Sequence, residues 1–450
     1  MTQCLGQLDF GILHRKPIEG RFDAGDISSD GGLMLLARME SELGLLQELS
    51  NCLTDTRQAS KVVHTLDELL MQRVYQILGG YEDCNDADDL RHDPVLKLCV
   101  GRLPHSQSAL ASQPTLSRFE NSIDVDDLWA MADVFVDVFI SQYADSEPKR
   151  ILLDFDATDD PTHGQQQLTG FHAYYDTHCY LPLIVTAQVD GGPHELLATL
   201  LRKGKCHAGH RATAVLKLLV KRLRAQWPSV QIVVRGDSGF AKPRLYNWCE
   251  RNGVKYLIGL AKNSRLVALG ERYMAIARKR HERTGQKVRL VHGGLYKADN
   301  WPHYRRVLIK SEVMDAGENP RFVVTNLSGL SGELYDLYAM RGDMENRIKE
   351  LKCDLAMDRT SCHRFVANQF RVLLHSAAFV LMSFLRKLLA KTELATAQAC
   401  TLQRKLIKVG VLVSESVRRV RLVFASSYPS QHIWRHLLMQ LRPPRPAESG

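Results

Sequence analysis

Four residues in the last third of this 450-residue chain share a spacing that suits phosphate chemistry. Tyr338, Arg341, Glu345 and Lys352 are separated by three, four and seven positions. At about 100° per residue they fall within an arc of roughly 60° on one side of a helix. A carboxylate, two cations and a phenol on one stripe fit phosphates and a metal ion. Plain ion pairing on an exposed helix face, Arg341 with Glu345 for example, gives the same pattern. Further carboxylates stand on strands. Asp154 and Asp156 are two apart in the apolar run from Ile151, so they point to one side of it. Asp237 follows the run Gln231–Arg235. Burying an isolated charge is heavily penalised, so acids at strand ends need partners. Three carboxylates converging from two strands and a helix would form an oxygen cage for Mg²⁺. Two such ions about 3.5–4 Å apart can serve an in-line phosphoryl displacement.

The elements that must position these groups are legible as alternating patterns. Strands are predicted at 151–155, 181–189, 195–201, 231–235 and 256–260, with helices at 211–226 and 243–252. That order implies a mixed sheet with helices packed on it. Residues 263–330 read as a β-rich insertion, with strands at 288–291, 304–311 and 321–326. Helix returns at 332–353 and again, long and amphipathic, at 364–391. Upstream, helices are predicted at 65–79, 87–99 and 126–142, after short extended pieces in residues 1–30. A further helix start is read at Ser112–Phe119, with Pro114 near its first turn. The longest apolar run, around Ser376–Leu385, is broken by Arg386 and Lys387, short of the roughly 18 residues a span needs.

Charge divides the chain. Residues 1–150 hold 13 Lys and Arg against 25 Asp and Glu, whereas 151–450 hold 46 against 25. Within 201–300 the balance is 23 basic to 5 acidic. A field that positive favours a polyanion, and nucleic acid is the commonest. The ten cysteines include no C-x-x-C pair, which points to reduced thiols in a cytoplasmic setting, without a secretory signal.

Tyr338-x-x-Arg341-x-x-x-Glu345 followed by Lys352 resembles the Tyr-Arg-Glu-Lys signature of bacterial insertion-sequence transposases of the DDE type. Asp156-Ala-Thr158 resembles that family's first acidic motif, and Asp237 after its strand resembles the second. The likeness covers about 150–392, and the opening Phe22-Asp-Ala-Gly-Asp26 to Asp30-Gly31-Gly32 resembles one branch of the family. It implies an RNase H-like α/β core in which Asp156, Asp237 and Glu345 are catalytic and bind two Mg²⁺ ions, with Mn²⁺ as a substitute. Asp154 stays open as an alternative first ligand. The resemblance also implies that Arg341 and Lys352 contact DNA phosphates and that Tyr338 positions the strand. Relatives with an insertion before the glutamate often use a tryptophan to stack on a flipped base in a hairpin intermediate. Trp301 is the candidate, against an indole simply packed in its own domain.

The implied organisation is a mainly helical N-terminal domain at 1–148, for DNA-end binding or dimer contacts. The core occupies 149–262 and 331–392 around the insertion at 263–330, and a basic C-terminal region with a Pro-rich mobile end covers 393–450. The implied function is metal-dependent hydrolysis and strand transfer at inverted-repeat ends and target DNA, by a homodimer, without membrane or nucleotide cofactor. The setting is the bacterial cytoplasm, at the nucleoid. The rival readings are a nuclease without strand transfer and a non-catalytic DNA-binding regulator. Other candidates are weaker. Cys206, His207 and His210 lack a fourth zinc ligand among basic neighbours and suit a DNA groove better. His163, His172 and His178 follow the first strand as loop or packing residues, and Asp159 and Asp160 read as surface acids.

Overall fold

A computed structural model describes residues 7–442, which divide into two compact units, one of residues up to 120 together with those from 381 onward, the other of residues 121–380. Both outer domain boundaries therefore differ from expectation. Residues 121–148 belong with the central unit, and residues 393–442 join the N-terminal helices instead of forming a separate tail. The Pro-rich end, 443–450, lies outside the described residues.

In the first unit, the opening residues form an exposed hairpin (Leu8–Leu13 with Lys16–Gly20). The helix Leu66–Gly79 begins at a capping box in which Thr65 Oγ1 accepts from the Glu68 N–H and Glu68 accepts from the Thr65 N–H. The helix expected across 87–99 is broken in two, because Asp93 caps a new start with Pro94 at its first position. The Asp30-Gly31-Gly32 turn is locked to the segment 407–409. Gly31 and Gly32 donate to the Val409 and Ile407 carbonyls at 2.9 and 3.1 Å, and Lys408 pairs with Asp30 at 2.8 Å. A Cβ on Gly32 would lie 1.8 Å from the Leu406 carbonyl oxygen, so the turn requires glycine.

The second unit is built on a mixed sheet. In chain order its strands are β1 (Arg150–Ala157), β2 (Leu183–Val189), β3 (Glu195–Leu200), β4 (Gln231–Gly236), β5 (Lys255–Leu260), β6 (Val288–Tyr296), β7 (Arg305–Met314), β8 (Gly317–Glu318) and β9 (Arg321–Thr325). The spatial order is β6-β7-β9-β5-β4-β1-β2-β3, with β8 paired to β7. Only β1–β4 and β4–β5 are parallel. The helices are α1 (Val125–Ser141), α2 (Ala212–Gln226), α3 (Pro243–Arg251), α4 (Ser264–Thr284), α5 (Ser331–Ala339) and α6 (Gly342–Lys349).

Residues 263–330 are accordingly not a self-contained β domain. They open with the 21-residue helix α4, and their strands extend the central sheet through β9 beside β5. The apolar alternation of β7 and β9 is what lets them continue the sheet: Val307, Ile309, Phe322 and Val324 join the same core as Ile232, Val234 and Ile258. On that face Ile151, Leu153 and Phe155 of β1 meet Phe139 of α1, Leu216 and Leu219 of α2 and Tyr246 of α3. The opposite face of β1 carries Asp154 and Asp156, as period-two alternation dictates. The helix Phe365–Leu388 holds one 18-residue window long and apolar enough to cross a membrane, with mean hydropathy 1.3, and 89% of that window is buried within the protein.

Candidate active site

The parallel register of β1 and β4 places Arg235 opposite Asp154. Two residues on, both strands end in acids on the same side, Asp156 from β1 and Asp237 just past β4. Asp237 caps the short turn Ser238–Phe240 by accepting from the Gly239 N–H at 2.8 Å. Asp154 and Asp156 have divergent surroundings. Asp154 is 1% exposed and accepts both Arg235 Nε and Nη2, at 2.5 and 2.7 Å, so its charge is spent inside the protein. Asp156 lies at the edge of the buried region, with Oδ1 accepting from the Ala157 N–H at 2.8 Å and Oδ2 from Arg341 at 2.6 Å.

The stripe expected on a single helix is interrupted. α5 ends at Ala339, the chain turns at Met340–Arg341, α6 runs to Lys349, and a π-helical turn covers Glu350–Asp354. Both Arg341 and Lys352 still reach toward β1 and the loop after it. Arg341 bridges Asp156 and Glu345, the latter at 2.9 Å, and Lys352 meets Asp159 at 2.8 Å. Tyr338 closes the other side. A Cβ on Gly259 would stand 2.6 Å from the Tyr338 hydroxyl and 3.3 Å from the Asp237 carbonyl carbon, so only glycine on β5 admits the ring there.

The electrostatics tie these groups together. Burial pushes the Asp156 carboxyl up from 3.8 to about 6; Arg341 and the Ala157 N–H oppose this, while the charges of Asp237 and Glu345 add to it. Arg341 is held above its ordinary value by Asp156, Asp237, Tyr338 and Glu345 acting against its own burial. Burial raises the Tyr338 phenol, with Asp237 and Asp156 contributing against Arg341. Three acids thus share one arginine, an excess of negative charge that a hard divalent cation would balance. The donor chemistry fits such an ion. The spacing does not, because the Arg341 guanidinium bridges Asp156 and Glu345. Among the described residues, no three His, Cys, Asp or Glu side chains stand close enough to hold a metal.

Trp301 follows the second of its two readings, an indole packed in its own domain. It is 5% exposed and packed edge-on to Tyr246 and Tyr296 beneath Arg305, whose guanidinium is 5.0 Å from the indole. Buried among side chains of its own domain, it presents almost no surface to a base. Asp160 is likewise not a surface acid: it is fully buried and accepts the Thr360 hydroxyl at 2.9 and 3.0 Å. The His207 ring, exposed, has Nε2 3.2 Å from Lys242 Nζ.

The sequence reading missed Arg235 and His194 altogether. His194 is buried between Asp154 and Asp343, 3.5 and 3.6 Å away, with Nδ1 3.0 Å from the Thr186 hydroxyl. Arg235 carried a usable signal, an arginine ending an otherwise apolar strand two residues before an acid. His194 carried none, since only the β2–β3 turn brings it under the site.

A family model described as transposase DDE domain, group 1, matches residues 10–446. No curated protein matches the chain.

Proposed function

The chain belongs to the transposase DDE domain family, group 1, and from that premise we propose that it is the transposase of a bacterial insertion sequence, binding the element's inverted-repeat ends and cutting and joining DNA by phosphodiester hydrolysis and strand transfer. The observation that carries the reading is the Arg341 bridge between Asp156 and Glu345, with Asp237 near enough for its charge to act on both Asp156 and Arg341. Further support comes from the strand order β3-β2-β1-β4-β5, with the first three antiparallel and the last two parallel to β1, an order that suits an RNase H-like core. In this reading Asp156, Asp237 and Glu345 are the acids that would hold divalent ions, Mg²⁺ or Mn²⁺, once Arg341 leaves its bridge between Asp156 and Glu345; ions held there would supply an activated water and neutralise charge on the phosphate.

The chain's own residues do the positioning. Arg341, already a bridge between two carboxylates, exchanges one of them for a DNA phosphate, as its planar fork allows. Lys352, anchored on Asp159, places a second cation on the same side, and Tyr338 buttresses the strand over Gly259. The 23-to-5 basic excess of residues 201–300 supplies the electrostatic track for the duplex. The protein acts as a homodimer in the cytoplasm, at the nucleoid.

Glu345→Gln provides the test, using duplexes of the genomic DNA that flanks the coding sequence. The variant is expected to bind these ends as the wild type does and to leave them uncut in Mg²⁺. Cutting at the wild-type rate would refute the role of Glu345. Cutting by the wild type without joining of pre-cleaved ends would favour a plain nuclease, and binding without any scission a regulator.

A further inference from the structure

We infer that the buried Arg235–Asp154 pair, with His194, is a positioning device that sets the α5–turn–α6 segment bearing Tyr338, Arg341 and Glu345 against the two strands bearing Asp156 and Asp237. The inference deepens the reading of the site just proposed and rests on it.

The geometry is a ladder of two rungs. Arg235 and Asp154 are direct partners in the β4–β1 register, and Asp237 and Asp156 follow two residues on, on the same side. The lower rung makes the contacts that fix the helix. Arg235, whose side chain is inaccessible, spends Nε and Nη2 on Asp154 and sends Nη1 to the carbonyl of Leu337, at 2.5 Å. That carbonyl lies in the last turn of α5, one residue before Tyr338 and four before Arg341. On the other side of Asp154, His194 Nδ1 stands 3.5 Å from Oδ2, and its Nε2 faces Asp343, two residues before Glu345. Thr186, opposite Asp154 on β2, bonds His194 and touches the buried Met344 sulfur at 3.0 Å. Hydrogen-bonded contacts from one buried cluster therefore reach both sides of the Met340–Arg341 break.

Stability alone gives no reason to keep this cluster. A buried ion pair is commonly replaceable by apolar residues of similar volume without loss, whereas removal of one partner strands a charge. What apolar residues cannot supply is a directional bond to one particular carbonyl. Lysine cannot supply it while also holding both carboxylate oxygens, because it lacks arginine's fork. The break in the helix makes that bond matter: without it, α5 can slide on the apolar patch formed by Leu257, Leu308 and Val323, and Arg341 moves with it.

The test compares wild type, Arg235→Lys and the paired replacement Arg235→Met with Asp154→Leu, in the full chain. The paired variant is expected to melt cooperatively near the wild-type temperature, while hydrogen–deuterium exchange across residues 335–349 accelerates and the strands stay protected. With genomic-flank duplexes, its cleavage rate at saturating DNA is expected to fall by about 100-fold, with the half-saturating DNA concentration nearly unchanged. Arg235→Lys is expected to recover little of it. Unchanged exchange across 335–349 in a folded paired variant would overturn the inference, as would cleavage within about threefold of wild type. Exchange is read without DNA or metal, so an inactive wild type, which would defeat the transposase reading, leaves this measurement decisive.

Discussion

Replacing Asp156 by asparagine should stabilise the protein, and only above a definable pH. Burial, reinforced by Asp237 and Glu345, raises the folded carboxyl from 3.8 to about 6 despite Arg341. A folded group with the higher value binds its proton more tightly than the unfolded chain does. Wild-type stability therefore falls as pH rises from about 4 to about 6 and stays at the lower level above that. A shift of that size corresponds to about 3 kcal/mol at about 1.36 kcal/mol per unit. Asparagine mimics the protonated acid in size and still accepts from Arg341 and the Ala157 N–H. The variant should thus match wild type near pH 3.5 and exceed it by about 3 kcal/mol at pH 7, or about 6–12 °C in Tm at about 2–4 °C per kcal/mol. Differential scanning calorimetry in EDTA from pH 3.5 to 8 reads both, and the difference curve cancels the titrating groups that do not interact with Asp156. A pH-independent offset, or a wild type more stable at pH 7, would refute the account of Asp156 as an acid kept charged at a cost for function.

Three other outcomes follow from the same contacts. Arg341→Gln removes the strongest group opposing the Asp156 shift, so the midpoint of that difference curve should move above pH 6; a midpoint at or below 6 would contradict the pairing. Mg²⁺ at millimolar concentration should raise the Tm of wild type at pH 7 and leave Asp156→Asn and Glu345→Gln nearly unmoved, as seen by thermal melts with and without EDTA. Trp301→Ala should cost about 3–5 kcal/mol of stability, measured by urea unfolding, because a core indole is lost. DNA affinity of its folded form should stay within about twofold of wild type, in contrast to the loss expected of an aromatic residue stacked on a base.

The linear order of residues determined a good deal. Period-two runs marked β1 through β5, and a 3.6-residue period the helices between them, because successive strand side chains point to opposite faces while helical ones recur about once per turn. The same alternation required Asp154 and Asp156 to share a side, and the spacing of Tyr338, Arg341 and Glu345 survived a helix break that the sequence did not announce. Local capping was readable too, although Asp93-Pro94 divided a helix that periodicity alone had joined.

Tertiary structure decided what periodicity cannot carry. Whether β6, β7 and β9 form their own domain or extend the central sheet depends on which edge strand they find, and β9 pairs with β5. Whether Trp301 meets solvent depends on Tyr246, which comes from a helix 55 residues earlier, as well as on Tyr296 and Arg305, which end the two strands flanking its loop. The difference between the surroundings of Asp154 and Asp156 is of the same kind. Both sit on one strand, two residues apart, and only the β1–β4 register gives one of them to Arg235 and leaves the other to Arg341. A carboxylate's environment is set by the charges and solvent within a few ångströms, and those neighbours lie 81 and 185 positions away in the chain.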